Sequence, residues 1–175
     1  MRKAKISIWF SLDKENFNIR TFAPMRVLMV CLGNICRSPL AEGVLQYQAT
    51  LAGLDIQVDS AGTAGYHIGE APHVLSQKVA QMNGIDIGGH RGRQFSKEDM
   101  DRYDRIYVMD AENYNDVRRA AGTKWDSSKV DLLLNELYPG ENRGVPDPWY
   151  GEEDGYHAVY GMVDKACRNI IKKYS

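Results

Sequence analysis

Three side chains carry chemistry that can be read from residue type and spacing. Cys31 and Arg37 bracket the run Cys31-Leu32-Gly33-Asn34-Ile35-Cys36-Arg37-Ser38-Pro39, and Asp147 lies between two prolines in Pro146-Asp147-Pro148-Trp149-Tyr150. A thiol becomes a strong nucleophile once ionised, and positive potential favours its thiolate. A guanidinium matches a phosphate through two parallel N–H groups. A carboxylic acid can protonate a leaving oxygen. The chemistry these groups permit is displacement at phosphorus: a thiolate attacks, an arginine holds the oxygens, and an acid assists the departing group.

Such chemistry needs elements that bring the groups together. The apolar run Val27-Leu28-Met29-Val30 precedes the Cys31 loop, and a helical pattern from Leu40 to Ala52 follows, with Gly53 as its stop. The stretch reads strand, tight loop, helix. A loop that opens a helix points several backbone N–H groups at one spot, where the helix dipole adds positive potential. Ser38 is expected to cap this helix and Pro39 to sit in its first turn. On either side of Asp147, proline stiffens the backbone and restricts the carboxyl.

The rest of the chain alternates in the same way. Strands are expected at Arg26 to Val30, Ile56 to Ser60, Arg105 to Met109 and Val130 to Leu134, with a short extended piece at Ile85 to Ile87. Helices are expected from Pro72 to Met82, after a Ser96 cap with Asp99 at the third position, from Asn113 to Ala121, and over a long terminal stretch. In that last helix Val159, Met162, Val163, Ala166 and Ile170 share one face. The alternation predicts an α/β fold: a three-layer, doubly wound, four-stranded and mostly parallel sheet covered on both faces. Ligands of such sheets bind beyond the carboxyl ends of the strands, where the Cys31, Gly65–Gly69, Asp110 and Asp147 loops can converge.

Cys-x5-Arg-Ser-Pro after an N-terminal strand, with Gly33-Asn34 inside it, resembles the phosphate loop of the low-molecular-weight protein tyrosine phosphatases. The resemblance runs from Arg26 to Tyr174. It implies a Rossmann-like phosphatase fold, Cys31 as nucleophile, Arg37 and the loop from Leu32 through Gly33, Asn34, Ile35 and Cys36 to Ser38 as phosphate ligands, and Asp147 as general acid. It further implies that Asn34, Ser38 and His90 support the loop: Asn34 by side-chain bonds in a left-handed conformation, Ser38 by donating to the thiolate, His90 by bonding to Asn34. Tyr66, Trp149 and Tyr150 would line the substrate cleft, with Trp149 standing where the family usually has Tyr. Cys36 matches a cysteine that can trap oxidised Cys31 as a disulfide, and Asp110 is read as a tie between loops.

The function implied is hydrolysis of protein phosphotyrosine through a phosphocysteine. Three rivals share parts of the pattern. An arsenate reductase on this fold would carry further cysteines after the mid-chain helix, and none lies between residues 82 and 110. A protein arginine phosphatase tends to have Thr where this chain has Ile35, whose apolar side chain suits a phenyl ring. A non-catalytic phosphotyrosine-binding module would be expected to lose Cys31 or Asp147. Neither a metal nor a cofactor is expected, since loop amides and Arg37 supply the charge.

Composition sets bounds consistent with this reading. The 175 residues suit one domain, and a net charge of −1 gives no strong pull toward nucleic acid or membrane. The three cysteines, Cys31, Cys36 and Cys167, form neither a disulfide framework nor a zinc pattern. A reactive thiolate suits a reducing compartment, so a cytoplasmic location is expected. Residues 1–24 read as an extension to a domain over 25–175: the apolar run Ile6 to Phe10 is too short for a membrane span and lacks a cleavage site, and Met25 is a plausible alternative start. The expected partner is a phosphotyrosine protein, with a bacterial tyrosine kinase as one such substrate. The protein itself is expected to be a monomer or to self-associate weakly.

Overall fold

Strand β1 (Met25–Cys31) runs through the middle of the molecule, and its residues Val27 to Val30 have no exposed surface. Side chains alternate between the two faces of a strand, and here both faces are covered. Val27, Met29 and Cys31 pack with Leu40, Val44 and Leu45 of α1 (Arg37–Leu51) and with Val159, Val163 and Ile170 of α5 (Glu153–Tyr174). Leu28 and Val30 pack with Val117 and Ala121 of α4 (Ala111–Ala121) and Met100 of the short α3 (Asp99–Arg102). An unbroken apolar run is what a strand buried on both faces requires.

The computed structural model describes residues 23–175. The extension expected over residues 1–24 lies outside the described residues except for its last two positions. The sheet holds β1, β2 (Ile56–Gly62), β3 (Arg105–Val108) and β4 (Val130–Leu132) in the order β2-β1-β3-β4. All three pairings are parallel, so the expected three-layer α/β architecture stands and "mostly parallel" becomes wholly parallel. The central position of β1 sends Cys31 to the carboxyl edge of the sheet, where the loops after β2 and β3 also emerge. Gly62 ends β2 against the Cys31 loop: an added Cβ there would lie 2.8 Å from the Leu32 carbonyl oxygen, so only glycine permits this approach. Among the described residues no helix is long and apolar enough to cross a membrane.

Several boundaries differ from the sequence expectations, for local reasons. The first helix begins at Arg37, with Cys36 as its flanking residue and no side-chain cap; Ser38 lies inside the helix, its hydroxyl engaged elsewhere. The second, α2 (Val74–Met82), starts two residues after Pro72, because the His73 side chain accepts the Leu75 N–H and acts as the cap. Helix α4 starts at Ala111 because Asp110 caps it, its Oδ1 accepting the Asn113 N–H at 2.8 Å. At α3 the expected cap is reversed: the Asp99 carboxylate accepts the Ser96 N–H at 2.9 Å, while Glu98 occupies the flanking position. Ile85 and Ile87 form no strand; they are buried over Gly43 of α1. The fourth apolar run splits, with Leu133 and Leu134 turning into a short 3-10 helix.

Candidate active site

The Cys31 loop is held from beneath by buried polar groups. Asn34 adopts φ 55°, a left-handed conformation that asparagine tolerates better than most residues. Its Nδ2 donates to Ser38 Oγ (2.9 Å) and Ser60 Oγ (2.8 Å), and its Oδ1 accepts from the Arg93 N–H (2.9 Å) and lies 3.2 Å from His90 Nε2. Behind it, Glu42 Oε2 accepts from Ser60 Oγ at 2.6 Å and meets His90 Nδ1 at 3.2 Å. Every polar valence of the Asn34 amide is thus used, which fixes the loop.

Cys31 Sγ receives two contacts. Ser38 Oγ lies at 3.1 Å, and the Asn34 N–H donates at 3.2 Å. The Asn34 N–H stabilises negative charge on sulfur, and the Ser38 hydroxyl, which also lies 3.4 Å from the Ala61 carbonyl, can turn its proton to the sulfur as well. Ser38 therefore serves the thiol and the Asn34 amide, which is why it does not cap α1. By contrast, the amides of Gly33, Ile35 and Cys36 find no acceptor among the described residues. Three unpaired N–H groups in one loop at a helix start form an anion site.

Arg37 supplies the cation. It is almost wholly buried, with Nη1 donating to Asp110 Oδ2 (2.6 Å) and to the Val145 carbonyl (3.1 Å), and Nη2 donating to Asp147 Oδ2 (2.9 Å). Its buried Nε has no partner among the described residues. Asp110 and Val145 therefore hold Nη1 and Asp147 holds Nη2, which leaves Nε as the guanidinium donor without a partner among the described residues. Burial alone would depress the guanidinium; the neighbouring Cys31, Asp110 and Asp147 outweigh it and push its pKa up, so it stays charged.

Asp147 is held more lightly. Its side chain is 43 % exposed, and among the described residues it accepts, besides Arg37, only the Trp149 N–H, at 3.1 Å on Oδ1. The carboxylate covers Arg37 Nη2, an N–H group of the kind a phosphate can engage. Cys31, Arg37 and Asp147 border one cavity of about 280 Å³, together with Leu32, Gly33, Ile35, Cys36, Tyr66, His67, Trp149 and Tyr150.

All the cleft aromatics expected from sequence line this cavity. Tyr66 and Tyr150 do so from the rim, at 76 % and 98 % exposure. Asn34 and Ser38 are buried and do not border the cavity; their side-chain polar groups are spent on Cys31 and the underlying network. Cys36 is buried 3.7 Å from the Tyr156 hydroxyl, and its thiol is pushed up to about 11, chiefly by burial, with Asp147 and Cys31 adding to the effect and the Tyr156 contact opposing it. It therefore remains a thiol at neutral pH. Cys167 is core.

Sequence reasoning missed four contributors: Ser60 and Glu42 beneath the loop, and His67 and His73 beside Trp149. His67 follows Tyr66 directly and has Glu70 three residues on, 2.9 Å from its Nδ1; that pairing was the available clue. The others become visible only through contacts distant in sequence.

A thiol under an amide cradle and a buried arginine, with a carboxyl poised above, is the site of a cysteine-dependent phosphatase. The family model described as low molecular weight phosphotyrosine protein phosphatase matches residues 26–175, and the chain belongs to that family. It is 40 % identical over 147 residues to the low molecular weight protein-tyrosine-phosphatase YfkJ of Bacillus subtilis, covering 83 % of this chain and 92 % of that one. The human low molecular weight phosphotyrosine protein phosphatase is 37 % identical over 154 residues, covering 86 % and 96 %. The crystal structure of YfkJ superposes with a TM-score of 0.80 over 87 % of this chain and 96 % of that chain. A Drosophila arginine phosphatase superposes at 0.79 with 30 % identity, over 86 % and 98 %.

Proposed function

We propose that the protein hydrolyses phosphotyrosine in proteins, with Cys31 as nucleophile, Arg37 and the loop amides as phosphate ligands, and Asp147 as acid and then base. The observation that carries this reading is the placement of Cys31 Sγ, 3.1 Å from Ser38 Oγ and 3.2 Å from the Asn34 N–H, in the same cavity as Arg37 and Asp147.

In the first step the thiolate attacks phosphorus and an S–P bond forms. The P–O bond to the phenol breaks, and Asp147 gives its proton to the leaving oxygen. In the second step water attacks the phosphocysteine, Asp147 takes a proton from it, and the S–P bond breaks to release inorganic phosphate and the thiolate. Throughout, the unpaired amides of Gly33, Ile35 and Cys36 and the Nε–Nη2 edge of Arg37 face the equatorial oxygens, where charge is greatest. Ser38 Oγ stabilises the departing sulfur in the second step.

The cavity wall supports an aryl substrate. Ile35, Tyr66 and Trp149 border the space above Cys31 and offer apolar and aromatic surface to a phenyl ring. Thiolate chemistry is best preserved where thiols stay reduced, so the reading includes a cytoplasmic location. It also includes tyrosine-phosphorylated proteins, a bacterial tyrosine kinase among them, as substrates.

The test is phosphate release from a phosphotyrosine peptide and a phosphoarginine peptide, with wild type and Cys31→Ser. The expected result is a preference for phosphotyrosine that the variant abolishes, while inorganic phosphate still binds. A preference for phosphoarginine would keep the mechanism and overturn the substrate. Binding of either peptide without release by wild type would leave only a binding module.

A further inference from the structure

Trp149 connects the acid loop to a part of the molecule with no direct role in the chemistry above. Its N–H holds Asp147 Oδ1 at 3.1 Å, so the place of this residue sets the direction of the carboxyl. Its indole ring contacts two imidazoles: His67 at 5.3 Å with planes tilted 45°, and His73 at 5.5 Å in an edge contact at 64°. His73 is also stacked against Tyr156 of α5, at 5.2 Å and 14°. Tyr156 is itself buried, so this second contact is a fixed wall.

The backbone of His73 meets the phosphate loop: its N–H donates to the Ile35 carbonyl at 2.8 Å. Its ring Nδ1 also caps α2 through the Leu75 N–H at 3.2 Å. One residue therefore touches the phosphate loop, the acid loop, the start of α2 and the body of α5, yet does not border the cavity. It is placed to fix distances between reacting groups without touching substrate.

We propose that His73 is a positioning residue for acid catalysis: its ring, seated on Tyr156, holds the Trp149 ring, and the Trp149 N–H then aims the Asp147 carboxyl over the phosphate loop. This rests on the reading of Asp147 as the acid. Aromatic edge and stacking contacts have directional preferences that a merely space-filling side chain does not reproduce. Loss of the ring frees Trp149 to move, and a misplaced acid slows only the step that needs a proton. The effect must therefore grow with the basicity of the leaving group.

Two substitutions separate the ring from the cap. His73→Asn keeps a side-chain oxygen able to cap α2 and removes the ring; His73→Phe keeps a ring and removes the cap. The measurement is kcat for a phosphotyrosine peptide and for an activated aryl phosphate with a good leaving group, together with inhibition by inorganic phosphate. For His73→Asn the expected result is about a tenfold loss on the peptide, corresponding to the two ring contacts removed, little change on the activated ester, and unchanged phosphate inhibition. For His73→Phe the wild-type ratio of the two rates is expected. Should His73→Asn not fold, His73→Leu against His73→Phe poses the same question, since only the ring differs. Equal slowing of both substrates by the ring-less variant would show a general structural role and overturn the proposal. Asp147→Asn is the control. If it shifts the ratio and the ring-less variant does not, the His73 proposal alone fails; if neither shifts it, Asp147 is not the acid and both readings fall.

Discussion

Asn34 spends every donor and acceptor of its amide on four neighbours and is buried, whereas Asp147 rests on two hydrogen bonds and has 43 % of its side chain in solvent. The two loops that meet over Cys31 are built for different duties. The phosphate loop must present amides, a guanidinium and a sulfur in one fixed geometry, because stabilising developing charge demands that nothing reorganise. It is accordingly anchored to β1, α1, β2 and the 88–94 segment through buried bonds. On the proposed mechanism the acid loop must let its carboxyl leave Arg37 when phosphate arrives and then serve first as acid and later as base. It is accordingly light, solvent-facing and held through Trp149.

This contrast makes different substitutions fail in different ways. The largest effect is expected in the acid loop, on rate alone. Asp147→Ala should slow phosphotyrosine peptides by about a hundredfold or more, the range of acid–base catalysis, with thermal stability close to wild type. Loss of stability in parallel with rate would show that the acid loop is a structural part of the core. The phosphate loop should fail in the opposite sense. Asn34→Ala takes away the acceptor of the Arg93 N–H and one partner each from Ser38, Ser60 and His90, which keep Cys31 or Glu42; a buried group left unpaired costs about 1–3 kcal/mol. A marked fall in melting temperature is expected, accompanied by lost activity; an unchanged melting temperature would mean the network does not hold the loop.

A smaller effect concerns alkaline pH. The Cys36 thiol is pushed up to about 11 in the folded protein, chiefly by burial, from an ordinary value of 9.0. The group is raised, so its contribution to stability is fully present below pH 9 and is lost as pH climbs toward 11. Melting temperature should fall over that window, and Cys36→Ala should flatten the fall; an identical slope in the variant would remove Cys36 as a cause. Deletion of residues 2–24 is expected to have the least effect, leaving kcat and melting temperature unchanged. An unfolded product would make that segment part of the domain.

The phosphate loop was the most legible part of the chain because its chemistry is contiguous: nucleophile, amides and arginine lie within one strand–loop–helix run, and each constrains the others. The parallel sheet was legible for a similar reason, since Val27 to Val30 can be apolar throughout only if both faces are covered. Errors arose where one polar side chain had two uses open to it. Ser38 has the type and place of a helix cap, but the thiol and the Asn34 amide claim its hydroxyl. Ser96 and Asp99 have the spacing of a cap, but the carboxylate serves the serine amide and Arg93 instead. Ile85 and Ile87 alternate as a strand does, yet among the described residues no neighbouring strand pairs with them. His73 was out of reach, because its neighbours Trp149 and Tyr156 are more than seventy residues further along the chain and only the folded sheet brings them together.

The most direct test of the mechanism is chemical identification of the covalent intermediate. Wild type mixed rapidly with a phosphotyrosine peptide, quenched in acid and digested, should carry one phosphoryl group on the peptide that contains Cys31, and Cys31→Ser should carry none. Turnover by wild type with no phosphoryl group on Cys31, or with the group on another residue, would contradict the assignment of Cys31 as nucleophile.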